Sequence, residues 1–222
     1  MLGKVFFTFE ELLTNQSKVH FMNIFKKILG LTTIPEKADV PKQPISPYMR
    51  QSQMPLDERF MTNFKQNGGK FLYCENLDEV FSNFKFIIEE NSWSDTNIQC
   101  FDKQLQEKFK NFPVKYSKDK DASFLFSACQ NLIADDGSVM FCSNQINERK
   151  LNELPEYFVI FATTSQIVNN IGESLRGIKM NNQRHLPTNI ISLKHFDTNQ
   201  ENDFMSYGSS AKNLYLLLLE DL

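Results

Sequence analysis

Four short stretches combine residue types that can act on a ligand. Asp135-Asp136-Gly137-Ser138 sets a carboxylate at a tight turn, where it can serve as base or nucleophile. Asp-Gly is equally good turn chemistry. Ala162-Thr163-Thr164-Ser165-Gln166 follows an apolar run. A strand entering a hydroxyl-rich helix start offers unpaired N–H groups to an anion; Ser165 serves equally as a plain N-cap. Tyr207-Gly208-Ser209-Ser210-Ala211-Lys212 joins a glycine, two hydroxyls and an ammonium. That set can cradle phosphate or carboxylate, or form an ordinary polar loop. Arg149 and Arg176 are conspicuous because arginine is scarce beside lysine. Their guanidiniums can fork onto an anion or make surface ion pairs. Asp135 is thus the candidate catalytic residue. The candidate ligand contacts are Gly137, Ser138, Arg149, Thr163, Thr164, Ser165, Arg176, Gly208, Ser209, Ser210 and Lys212.

Other chemistry is disfavoured. Cys74, Cys100, Cys129 and Cys142 form no C-x-x-C pair and sit in apolar runs, as reduced core thiols do. No metal site is expected: His20, His185 and His195 have no ligand spacing. No Walker, dinucleotide or serine-elbow motif occurs, and no cofactor is identified.

The elements that must position these residues alternate. Residues 56–66 predict a helix with Leu56, Phe60, Met61 and Phe64 on one face, stopped by Asn67-Gly68-Gly69. KFLYC (70–74) predicts a buried strand. Asn76 and Glu79 are spaced as a capping box before a helix carrying Leu77, Val80, Phe81, Phe84, Ile87 and Ile88 inward. A strand at 97–101, a helix at 102–112 and a strand at 114–117 follow. Strand–helix alternation predicts a mostly parallel sheet flanked by helices, an α/β fold. Residues 130–134 and 138–142 predict an antiparallel hairpin with a two-residue turn at Asp136-Gly137. A short helix over 146–153, a buried strand over 156–163, a helix over 165–176 and strands over 188–194 and 213–221 complete the reading. The last is rich enough in leucine to lie mid-sheet.

With 222 residues, 41% hydrophobic and 23% charged, the chain holds one ordinary domain and is not wholly disordered. A net charge of −3 carries no signature of nucleic-acid binding. The 21 phenylalanines read as core residues; an aromatic ligand site is the alternative. Residues 1–54 are expected to be an N-terminal arm and linker, and 55–222 the domain. Five of the eight prolines fall in 31–55. Met22 opens MNIFKKILG, which reads like a natural start, and 22–30 can form a short amphipathic helix. The first 21 residues lack the design of a secretory signal, and no apolar run spans a membrane, so a cytoplasmic location is expected.

The stretch from Asn131 to Ile178 resembles the core of the LUD domain, named for lactate utilisation. The family pattern is an Ile-Ala-Glu-Thr-Gly-Thr-Leu turn, then Leu-Pro, a hydrophobic strand and Gln-Ile-Val. Here Ile133-Ala134-Asp135-Asp136-Gly137-Ser138-Val139, Leu154-Pro155 and Gln166-Ile167-Val168 stand in that order. The family's terminal Ser-Gly-Pro-Ser motif is matched loosely at 207–214. The resemblance covers 120–222 well and 56–120 more faintly. It implies a fold similar to the sugar-isomerase and CoA-transferase superfamily. It also implies a small, cluster-free, non-redox subunit working with iron–sulfur lactate-utilisation partners on L-lactate or a similar hydroxy acid. The family glutamate is Asp135 here, one methylene shorter. Two alternatives stay open: a CoA-transferase- or cyclo-ligase-like enzyme acting on a CoA ester, phosphosugar or nucleotide, and a non-catalytic module that forms a homo-oligomer. A small anionic metabolite is the expected ligand.

Overall fold

The computed structural model describes residues 54–117, 121–181, 186–196 and 212–221. The chain divides between Ile45 and Ser46 into two units, and every described residue belongs to the second. The readings of residues 1–53, including Met22 and the 22–30 helix, lie outside the described residues, as do Gly208, Ser209 and Ser210.

In chain order, α1 (Leu56–Gln66) leads to β1 (Lys70–Cys74), α2 (Leu77–Glu90), β2 (Asn97–Gln99), α3 (Lys103–Lys108) and β3 (Lys115–Ser117). Then come β4 (Phe124–Ala128), β5 (Asn131–Ile133), β6 (Ser138–Phe141) and α4 (Ser143–Ile146). The chain finishes with β7 (Tyr157–Thr163), β8 (Ile167–Val168), α5 (Ile171–Asn181), β9 (Ile191–Leu193) and β10 (Asn213–Leu219). Strands β1-β10-β7-β4-β2-β3 form a six-stranded parallel sheet. Strands β8-β5-β6-β9 form a smaller mixed sheet.

Apolar content sets strand position. β10 buries Leu214 through Leu218 and runs between β1 and β7. β1 is half-buried at the sheet edge, so its apolar run marks an edge and not the buried strand expected. On one face the helices pack a phenylalanine cluster: Phe84 lies 4.6 Å from Phe126 and 4.9 Å from Phe109, ring centre to ring centre. With Trp93, Phe124 and Leu105 these rings form the main core, so the abundance of phenylalanine is structural there. α2 is capped as its sequence indicates: the Asn76 Oδ1 accepts from Glu79 N at 3.0 Å. The Glu79 carboxylate accepts from Glu75 N, one residue before the cap.

Three local expectations are corrected. The β5–β6 hairpin closes with four residues, Ala134 to Gly137, and not two, because Ile133 pairs with Ser138. Ile133 O accepts from Gly137 N across that loop. No single helix spans 146–153; α4 ends at Ile146, and a 3-10 turn covers Leu151–Glu153. Nor does a helix begin at Ser165. A 3-10 turn, Thr164–Gln166, leads into β8, and α5 starts only at Ile171. The cap is Asn170, whose Oδ1 accepts from Glu173 N at 2.9 Å. Ile171 and Leu175 are 39% and 42% exposed, while Ser174 and Ile178 face the small sheet.

Candidate functional site

Parallel neighbours β4 and β7 leave the large sheet together and re-pair as β5 and β8 in the small one. Where the ladder breaks, Gln166 fills the gap. Its Nε2 donates to Cys129 O at 2.7 Å, its Oε1 accepts from Thr163 N at 2.8 Å, and its own O accepts from Asn131 Nδ2. A side chain thus replaces the missing backbone rungs.

Thr163, Thr164 and Ser165 sit at this break, level with the ends of β1 and β10: Thr163 registers with Leu219, which registers with Cys74. The register sets them at the carboxyl edge of an open parallel sheet, where such folds bind ligands. Their donors hold a carboxylate from the same chain. Asp221 Oδ1 accepts from Thr164 Oγ1 and from Ser165 N, both at 2.9 Å. Asp221 Oδ2 accepts from Ser165 Oγ at 2.7 Å, and Thr163 Oγ1 lies 3.0 Å from Ser165 Oγ. Donation by the Ser165 hydroxyl, then by the Ser165 amide and the Thr164 and Thr163 hydroxyls, favours the charged form and holds Asp221 down at about 2.

Strand order reverses between β2 and β4: β2 is followed by β3 on one side, and β4 by β7 and β10 on the other. That reversal is the usual place for a ligand crevice. Arg149 belongs here, its guanidinium stacked over the Phe101 ring at 5.3 Å just past the end of β2. β7 lies two strands from β2, roughly 10 Å across the sheet.

Asp135 occupies a second locus. Its turn packs against α1 so closely that a Cβ on Gly137 would lie 2.3 Å from Phe64 N, and Gly137 has φ +70°. Asn63 Nδ2 donates to Ala134 O and Asp135 O, and Asn67 Nδ2 to Asp136 O. Ser138 is buried; its hydroxyl donates to Asp136 Oδ1 and accepts from Ser192 Oγ. Gly137, Ser138 and Asp136 therefore build the turn. Asp135 alone presents its side chain, 53% exposed and 3.7 Å from Arg59 Nη1. Arg59 Nη2 donates to Asn169 Oδ1 at 2.7 Å, and Glu173 holds Asn169 through its amide and side chain. Asp135 N in turn donates to Asn169 O.

The remaining candidates are dispersed. Lys212 is buried at the opposite, amino edge, before β10; its Nζ donates to Leu154 O at 3.0 Å, and desolvation lowers its pKa. The seven residues of β10 put it about 23 Å from the Thr163–Ser165 edge. Arg176 is exposed on α5, one turn from Glu173. All four cysteines are buried and free; burial raises Cys74 to about 11 and Cys100 and Cys129 to about 12, leaving unreactive thiols. Among the described residues no group of His, Cys, Asp and Glu is placed to hold a metal ion.

Arg59, Asn63, Asn67 and Asp221 complete these two loci and lie outside the four stretches picked out in the sequence. Arginine scarcity, applied evenly, points to Arg59. The i, i+4 spacing of Asn63 and Asn67 puts two amides on one face of α1.

The LUD domain family model matches residues 58–217. The chain belongs to the LUD domain family. A crystal structure of a DUF162 family protein from Deinococcus radiodurans superposes on this LUD domain with a TM-score of 0.54. The match covers 80% of this chain and 100% of that one at 10% identity, a likeness of fold alone. No curated protein matches the chain. At family level this is a lactate-utilisation-related domain. No helix among the described residues is long and apolar enough to cross a membrane.

Proposed function

We propose that this LUD domain is a non-redox subunit or accessory factor in oxidation of L-lactate or a similar small hydroxy acid, and that it binds a small anion at the carboxyl edge of the large sheet. The observation that carries the ligand assignment is the Thr163–Ser165 clasp, whose amide and hydroxyls already grip a carboxylate, that of Asp221. An incoming carboxylate would use the same donors after Asp221 moves aside. Arg149 over Phe101, just past the end of β2, would supply a cation on the same edge. Iron–sulfur subunits would carry the electrons. Tagged protein is expected to co-purify with an iron–sulfur protein, and deletion to impair growth on lactate. Neither effect occurring would remove the role.

A second reading rests on Asp135, a half-exposed carboxylate presented by a rigid turn and paired with Arg59. Such a group suits nucleophilic or general-base work on a CoA ester, phosphosugar or nucleotide. Thermal-shift screening of those three classes tests it. A hit that Asp135→Ala abolishes supports the chemistry; a hit that the variant retains makes Asp135 a turn residue.

A further inference from the structure

Glycine follows an asparagine or aspartate at only two places in the chain, Asn67-Gly68 and Asp136-Gly137. In such dipeptides the backbone nitrogen most readily attacks the preceding side chain, because glycine has no side chain to shield it. The two lie 69 residues apart in sequence and meet in the fold, where Asn67 Nδ2 donates to Asp136 O at 2.7 Å. The junction of α1 with the 134–137 turn holds the groups that the attack needs. Gly68 N donates to Lys65 O at 3.0 Å and Gly137 N to Ile133 O at 2.9 Å, so both attacking nitrogens are engaged. Asp136 Oδ1 accepts from Ser138 N and Ser138 Oγ. At Asn67 ψ is 4°, which sets the Gly68 nitrogen beside the Asn67 nitrogen and away from its side chain. The dipeptides differ in exposure. Gly137 is buried against α1, whereas Gly68 is exposed with φ +86° and Asn67 is half-buried. Solvent therefore meets the Asn67-Gly68 peptide first.

We propose that Asn67 is a deamidation site gated by the docking of this turn. When the turn lifts, Asn67 Nδ2 loses Asp136 O and the side chain is free to rotate toward Gly68. The Gly68 nitrogen then bonds to Asn67 Cγ and gives its proton to water, while the Cγ–Nδ2 bond breaks and ammonia leaves. Water opens the resulting imide at either carbonyl, leaving aspartate or isoaspartate at position 67. No electrons are exchanged, and water is the sole co-reactant. The product carboxylate only accepts hydrogen bonds, so it no longer bonds Asp136 O and leaves two acceptors facing each other. Loss of ammonia to solvent makes the conversion one-way. Of the two α1 amides that held the turn presenting Asp135, Asn63 then remains. This reading is independent of any ligand or chemistry at either locus.

The test ages the full chain in mildly alkaline oxygen-18 water, folded and in urea, and follows label and isoaspartate at position 67 by peptide mass spectrometry. Folded wild type is expected to convert at least about tenfold more slowly than the unfolded chain. Folded Asn63→Ala, which removes the other amide beneath the turn, should convert several-fold faster than folded wild type. Folded and unfolded rates closer than that, a folded Asn63→Ala no faster than wild type, or an unfolded chain that keeps Asn67 intact would each overturn the proposal. If Asn63→Ala does not fold, wild type in urea below its unfolding transition decides. Conversion that rises ahead of global unfolding supports the gate, and conversion that rises only with global unfolding overturns it.

Discussion

The two loci that pair acidic and hydroxyl groups use them in opposite ways. At the Asp135 turn the hydroxyl is consumed: Ser138 ties Asp136 and Ser192 together, and the backbone carbonyls are held by Asn63 and Asn67. What is left over is one carboxylate, half in solvent, with a single ion pair at 3.7 Å. At the carboxyl edge the hydroxyls and an amide are the donors, and the carboxylate they hold is supplied from the end of β10. A motif therefore shows its chemistry only after its internal hydrogen bonds are counted. The turn leaves a carboxylate in solvent, whereas the edge closes its donors on a carboxylate of the same chain.

Substitutions can break this contrast, starting with the turn's scaffold. Gly137→Ala needs a left-handed backbone and drives a Cβ into α1, so it should cost about 3 kcal/mol or more in urea unfolding. A loss under half of that would mean the turn can lift off α1. Asn63→Ala leaves the carbonyls of Ala134 and Asp135 without their amide and should cost about 2 kcal/mol by the same measurement. Lowering the pH tests the edge. Asp221 has its carboxyl pKa depressed from 3.8 to about 2, so the clasp contributes fully above the unfolded value and is lost as pH falls through about 2. Ser165→Ala should move the carboxyl of Asp221 back upward in a carbon-detected titration; an unmoved midpoint would mean that the hydroxyl does not hold it. Asp135→Asn should be the mildest change, within about 0.5 kcal/mol, because an exposed ion pair adds little. A larger loss would make Asp135 a structural residue after all.

Much of the fold could be read directly. α1, α2, β7 and β10 carry long amphipathic or continuous apolar patterns, and each forms close to its expected bounds. Sequence pattern and structure part where side chains take over from backbone pairing. Ser165 looks like a helix cap, but the chain must first re-pair beside β5 as β8, and Gln166 bridges the discontinuity. Local propensity cannot register a partner thirty-five residues away. The candidate site was legible only in part for the same reason. Hydroxyls and arginines are visible as residue types, whereas Asp221, fifty-six residues from Ser165 in sequence, is brought to it by the alignment of β10 beside β7. Lys212 follows a glycine–serine run and so reads as a ligand contact. β10 carries it to the other edge of the sheet, where it serves a backbone carbonyl.

The most direct test of the carboxyl-edge assignment is calorimetric titration of L-lactate into the wild type, Asp221→Ala and Asp221→Ala/Ser165→Ala. If the clasp is a carboxylate site guarded by Asp221, the single variant binds at least about tenfold more tightly than wild type, a gain of ~1.4 kcal/mol, and the double variant loses that gain. Equal affinities in all three proteins, or lactate binding that ignores Ser165, would contradict it.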